Sequence, residues 1–171
     1  MLKDLKRYLQ INESKTVPPL SREHIVEQAI QMRIATQKDN CLVFPIIEII
    51  EPVLECMNGS LEVVEDNELP SNKTAITVAI PNTDNEIWPC INVIKVKESV
   101  YNGAILGNPE DRFTMAHELA HAFLFHGCPQ SNINYTNNPK CSKEDPEWQA
   151  DIFAINLLAP IRFFNGTNHE K

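Results

Sequence analysis

No apolar run in this 171-residue chain approaches the roughly 20 residues needed to span a bilayer. The longest, Leu42 to Ile50, is interrupted by Pro45 and Glu48. The N-terminus, Met1-Leu2-Lys3-Asp4-Leu5-Lys6, lacks an apolar h-region and a small-residue cleavage site, so no signal peptide is read. Positive charge is also short: 15 Lys and Arg stand against 23 Asp and Glu, for a net charge of −8. Neutralising phosphate needs clustered Lys and Arg, which argues against a general binder of nucleic acid or of an anionic membrane. The five cysteines, Cys41, Cys56, Cys90, Cys128 and Cys141, include no CxxC pair. An odd count in a chain of this size predicts free, reduced thiols. Internal repeats and low-complexity tracts are absent as well. What remains is 43% apolar and 22% charged residues, a globular composition at the length of one domain. The expectation is a cytoplasmic protein with a core that needs no staples.

The first 15 residues space Leu2, Leu5, Tyr8, Leu9 and Ile11 roughly helically among charges, as a short amphipathic arm would. Thr16-Val17-Pro18-Pro19 breaks it. Ser21 is a good N-cap for a helix to about Thr36, with Leu20 and Ile25 placed as a hydrophobic staple. Pro45 can be the first residue of a second helix to about Met57, closed by Asn58-Gly59, with Pro52 expected to kink or split it. Strands are expected at Leu61–Val64, Thr74–Ile80 and Ile91–Val96. The last two flank the turn cluster Asn82-Thr83-Asp84-Asn85 and should pair antiparallel. Asn108-Pro109-Glu110-Asp111 starts a helix to about Phe125, apolar nearly all round its second half and therefore central and buried. A polar loop from Gly127 to Lys143 follows, with Cys128 and Cys141 read as two loop thiols that could alternatively approach each other or bind metal with His126. Asp145-Pro146-Glu147 starts the last helix, which runs to about Leu158 and is stopped by Pro160.

The buried helix carries His117-Glu118-Leu119-Ala120-His121, an H-E-x-x-H motif. At about 100° per residue, the two imidazoles lie about 40° apart and one turn along the axis, so both can reach one metal ion. Glu118, one residue round, sits beside the ion, where a general base for an activated water belongs. Zn2+ suits two nitrogen ligands with an open position, and Mn2+ or Fe2+ also suits two histidines and a carboxylate. Two histidines and a glutamate on an apolar helix are costly unless paired or metal-bound. A third ligand is needed. His126, five residues past His121, falls half a turn round the same helix, and His24 and His169 are isolated. Glu147, 26 residues after His121 at the start of the last helix, is the better candidate. Asp151, four residues later on the same face, can accept the outer N–H of His117 or His121 and fix its tautomer. Tyr135, Tyr101 and His126 are the candidate transition-state stabilisers, with Tyr135 first.

These residues carry a resemblance. The segments Arg112–His121, Phe125-His126, Asp145–Ala154 and Leu157–Pro160 resemble the signature blocks of the ImmA/IrrE family of metallopeptidases. Ala120 stands where that family usually has glycine, and Ala159 where methionine is common; neither is a ligand position. The resemblance implies an α+β, zincin-like fold, with a small antiparallel or mixed sheet packed on a central HExxH helix. It implies zinc held by His117, His121 and Glu147, with Glu118 as base. It divides the chain into an N-terminal arm (1–19), one metallopeptidase domain (20–165) and a tail (166–171). It further implies a protein substrate, a helix-turn-helix repressor or antitoxin-like regulator encoded nearby, often on a mobile element. Direct nucleic-acid or membrane binding is not expected. Two other readings stand beside the endopeptidase. One is a non-catalytic binding module that sequesters a regulator. The other is a structural zinc site, which is disfavoured because such sites close all four positions and prefer cysteine.

Overall fold

Ser21 opens the first helix as its spacing suggests: its hydroxyl accepts from the His24 N–H, 3.2 Å away, and α1 runs Arg22–Ala35. The computed structural model describes residues 17–82, 90–126 and 142–160. Residues 1–16 of the expected N-terminal arm, the Asn82–Asn85 turn beyond its first residue, most of the 127–143 loop and the tail lie outside them. Ile25, at the staple position, is fully buried, and Leu20 packs on the same core.

The second helix, α2, spans Ile46–Cys56 without a break at Pro52. Pro52 and Glu48 both face solvent, so the Glu48 carbonyl left without a helical donor can be solvated. At its end the Asn58 N–H donates to Glu55 O and the Gly59 N–H to Leu54 O, with Asn58 left-handed at φ 56°. This pair of bonds is a Schellman closure, built here on asparagine. Gly59 has a separate reason: a Cβ there would lie 2.5 Å from the backbone oxygen of Asn92.

Three strands follow, β1 (Ser60–Val64), β2 (Ala75–Pro81) and β3 (Cys90–Lys97), in the order β1-β3-β2. The expected antiparallel pair is present, with Thr77 opposite Ile94. β1 joins β3 in parallel, so the sheet is mixed. The face of β2 that meets the helices is Ala75-Thr77-Ala79, while Ile76 and Val78 pack with Leu69 in a smaller cluster on the other side. The larger residues thus lie away from the main core, and small ones let a helix approach.

A short helix, α3 (Glu98–Ile105), runs directly out of β3. The sequence reading does not anticipate it, because Asn102-Gly103 is a turn signal. In the fold, Gly103 faces the Asp111 carboxylate of the next helix, which a Cβ there would force to another rotamer. That helix, α4 (Pro109–Phe123), is capped by Asn108, whose side chain accepts from the Glu110 and Asp111 N–H groups. The last, α5 (Pro146–Leu158), is capped by Asp145. Met115, Ala116, Leu119 and Ala120 of α4 and Ala150, Phe153 and Ala154 of α5 are fully buried in one core, which is therefore α+β and centred on the HExxH helix. Arg33, buried on α1, donates to Leu157 O and Cys41 O and ties α1 to the end of α5. Cys41 and Cys56 are free thiols, but Cys90 is disulfide-bonded, against the expectation of reduced thiols throughout. Sequence spacing does not measure Cα separation, and an odd count still leaves room for a pair. Among the described residues no helix is long and apolar enough to cross a membrane.

Gly59→Ala should destabilise the fold by about 1–3 kcal/mol, since the clash is with backbone that cannot rotate away. Urea unfolding measures it; a midpoint equal to that of the parent protein would contradict the close approach of α2 and β3.

Candidate metal centre

The two helix starts bring the site together. Asn108-Pro109 sets the phase of α4, which puts His117 and His121 on its cleft side. Asp145-Pro146 sets α5, and its Asp145 cap receives the Glu147 N–H at 3.0 Å. Glu147 then projects from the first turn toward both imidazoles. Its Oε2 lies 3.1 Å from His117 Nε2 and its Oε1 3.5 Å from His121 Nε2. The two Nε2 atoms are 3.0 Å apart. Both imidazoles are largely buried, whereas the Glu147 side chain is 67% exposed, so the site is open on the carboxylate side.

The protons on the two rings are placed by their outer partners. His117 Nδ1 lies 3.0 Å from Asp151 Oδ1. A carboxylate only accepts, so Nδ1 carries a proton, and in the neutral ring Nε2 is bare. Of the two roles open to Asp151, the structure places it against His117. His121 Nδ1 faces His126 Nδ1 at 2.9 Å. His126 Nε2 faces Gln149 Oε1 at 3.0 Å, and the Gln149 amide nitrogen donates to Pro18 O and Lys143 O. His126 therefore donates from Nε2 and accepts at Nδ1, and His121 donates from Nδ1 with Nε2 bare.

His117, His121 and Glu147 are a set that could hold a metal ion, each offering one ligand atom within 4.8 Å of the others. The donor chemistry fits. Two lone pairs and a carboxylate converge with no proton of their own to share. In tetrahedral zinc the ligand atoms lie roughly 3.3 Å apart, close to the 3.0, 3.1 and 3.5 Å found. The electrostatics agree. Burial opposes charge on His117, but the Glu147 hydrogen bond and the carboxylates of Glu118, Glu147 and Asp151 outweigh it, and its pKa is raised. Without a cation, a ring that takes up a second proton donates it from Nε2 to Glu147, and this holds the Glu147 carboxyl well below the usual range. The site attracts positive charge.

Glu118 is not part of the ligand set. Its Oε2 lies 2.7 Å from the Thr77 hydroxyl on β2, which is also 2.9 Å from the Glu118 backbone oxygen. Thr77 is a residue the sequence reading missed. Its signal was a lone hydroxyl between Ala75 and Ala79, visible only once the inward face of β2 is known. Gln149 was missed too, as an unremarkable helix amide. The candidate stabilisers fare differently. Tyr101 lies on α3 with its ring against the main core and does not line the cleft. His126 reaches the cleft floor, but both ring nitrogens are engaged, so it has no donor left for an oxyanion. Tyr135 lies outside the described residues. The cleft itself has a volume of about 350 Å³ and runs from Lys73–Thr77 across His117 and Glu118 to Glu147.

Burial foremost, with repulsion from His121, pushes the His126 pKa down to about 3. The unfolded chain takes up that proton first. The contribution of His126 to stability is thus complete above its unfolded value near 6.5 and is lost as pH falls toward 3. In the metal-free protein, the ring nitrogen NMR shifts of His126 should stay those of neutral imidazole down to about pH 5. Protonation near pH 6.5 would contradict its burial.

Residues 100–170 match the Peptidase_M78 family model, described as the IrrE N-terminal-like domain. The match is consistent with the ImmA/IrrE family, covers both helices of the site and points to a metallopeptidase. No curated protein and no solved structure matches the chain.

Proposed function

From a chain whose residues 100–170 carry the IrrE N-terminal-like domain, we propose a zinc-dependent endopeptidase acting on a regulatory protein. The observation that carries the reading is the pair of bare Nε2 atoms facing Glu147, with a non-ligand carboxylate, Glu118, beside them. His117, His121 and Glu147 would hold a divalent cation, which would supply Lewis acidity toward a peptide carbonyl and a water. Thr77 donates to Glu118 Oε2 and holds the carboxylate beside the cleft. Glu118 takes a proton from the attacking water and gives it to the departing amine nitrogen. Asp151 and the His121 partner hold the imidazoles in register throughout.

β2 is an edge strand, and Lys73–Thr77 line the cleft. An extended peptide can therefore add to β2 as a fourth strand, with main-chain hydrogen bonds holding it across Glu118. β3 is central and already paired on both sides, so it offers no edge to a peptide. The net charge of −8 favours a basic partner. A helix-turn-helix repressor or antitoxin-like protein, encoded nearby on the same mobile element, is that kind of target.

Glu118→Gln should keep one zinc per chain and lose peptidase activity by roughly 10²–10⁴-fold. Metal analysis and cleavage of the neighbouring regulator read the two effects separately. Full relief of repression by that variant would replace hydrolysis with sequestration as the function. Hydrogen exchange with a bound substrate peptide should protect the β2 amides; protection confined to the helices would remove the edge-strand mode.

A further inference from the structure

The two imidazoles at the centre are oriented by unlike means. His117 is held by a carboxylate on the next helix, Asp151. His121 is held by another histidine, and the reason that histidine is within reach is the end of α4. The helix stops at Phe123, and Phe125 takes a left-handed conformation at φ 56°. The Phe125 N–H donates to Ala122 O and the His126 N–H to His121 O. This Schellman closure turns the chain back under the last turn, so His126 presents Nδ1 to His121 Nδ1 instead of continuing round the helix. Phe125 is a bulky residue in a conformation that favours glycine, so the closure is retained against a local cost.

His126 could by itself face His121 in either tautomer. Gln149 removes the choice. Its amide nitrogen has two backbone carbonyls to serve, Pro18 O at 2.9 Å and Lys143 O at 2.6 Å. A flipped amide would set its oxygen against both carbonyl oxygens in a site where Gln149 is 1% exposed. Its oxygen is therefore the atom that meets His126. The two carbonyls are fixed in turn, because Val17 N–H donates to Glu144 O and Leu20 N–H to Lys143 O. The segment entering α1 and the turn entering α5 are thereby stitched together over Gln149.

We propose that Gln149 and His126 are positioning residues that act through His121, fixing its proton on Nδ1 and keeping its Nε2 lone pair aimed at the cation. The relay rests on the reading of the site as a cation site. It transmits the docking of residues 17–20 onto the 143–144 turn to the ligand itself, over the path Pro18 and Lys143, Gln149, His126, His121. It also explains why His126 is neither a ligand nor an oxyanion donor.

The test uses the zinc-loaded full chain. Nitrogen-15 NMR of its histidines should show His121 protonated on Nδ1, His126 protonated on Nε2, and a coupling across the Nδ1–H···Nδ1 bond. Gln149→Leu should mix the His126 tautomers and weaken zinc roughly 10–100-fold in competition with a chelator, and His126→Phe should weaken it at least as much. Either result supports the relay. A His126 proton on Nδ1 in the parent protein overturns it, and so does parent-like zinc affinity in both variants, while the cation reading stands. A parent protein that takes up no zinc overturns the cation reading and the relay together. If His126→Phe fails to fold, the tautomer assignment in the parent protein still decides.

Discussion

Two imidazoles whose outer nitrogens are already committed can offer only their inner lone pairs, and in this protein both inner lone pairs face one carboxylate. Asp151 accepts a hydrogen bond from His117 Nδ1–H and His126 accepts one from His121 Nδ1–H. What is left between Nε2, Nε2 and Glu147 is a space bounded by acceptors alone, which a cation satisfies and an apolar filling would not. The rest of the fold can be read as the means of keeping that convergence. The caps at Asn108 and Asp145 set the phase of the two helices. Fully buried Ala116 and Ala120 on one helix, with Ala150 and Ala154 on the other, put small residues in the core the two helices share. Ala75 and Ala79 let the sheet approach closely enough for Thr77 to touch Glu118.

The cleft has two unlike walls, and that asymmetry gives the site a direction. One wall is the edge strand and the segment before it, which can hold a main chain. The other is the first turn of α5, where Glu147 is exposed to solvent. In the proposed reading a substrate laid along the strand would pass over Glu118, whose Oε2 accepts from the Thr77 hydroxyl. Glu118 is thus held by the sheet, and His117, His121 and Glu147 by the helices.

The helices bearing the chemistry were legible because their signals are local. Asn108-Pro109 and Asp145-Pro146 name their own starts, and the four-residue spacing of the histidines names their common side. What stayed illegible depended on contacts far along the chain. β1 runs parallel to β3, and nothing in Ser60–Val64 states that direction. α3 hides a turn signal, Asn102-Gly103, whose glycine answers to Asp111 on another helix. The alternation of β2 showed two faces but not which one meets the core, and so Thr77 was passed over. His126 was misjudged for the same reason, since a helix assumed to continue carries it away from His121, whereas the left-handed Phe125 returns it. Tyr101 had a suitable hydroxyl but belongs to the core, which composition does not reveal. Cys90 shows that a thiol's state follows distance in space and not spacing in sequence.

X-ray absorption at the zinc edge, recorded on the zinc-loaded protein, reports the number and kind of atoms around the cation. Two imidazole nitrogens and a carboxylate oxygen are expected, with the remaining coordination light-atom and exchangeable. A sulfur neighbour, a single imidazole, or a Glu147→Ala protein with an unchanged spectrum would contradict that coordination.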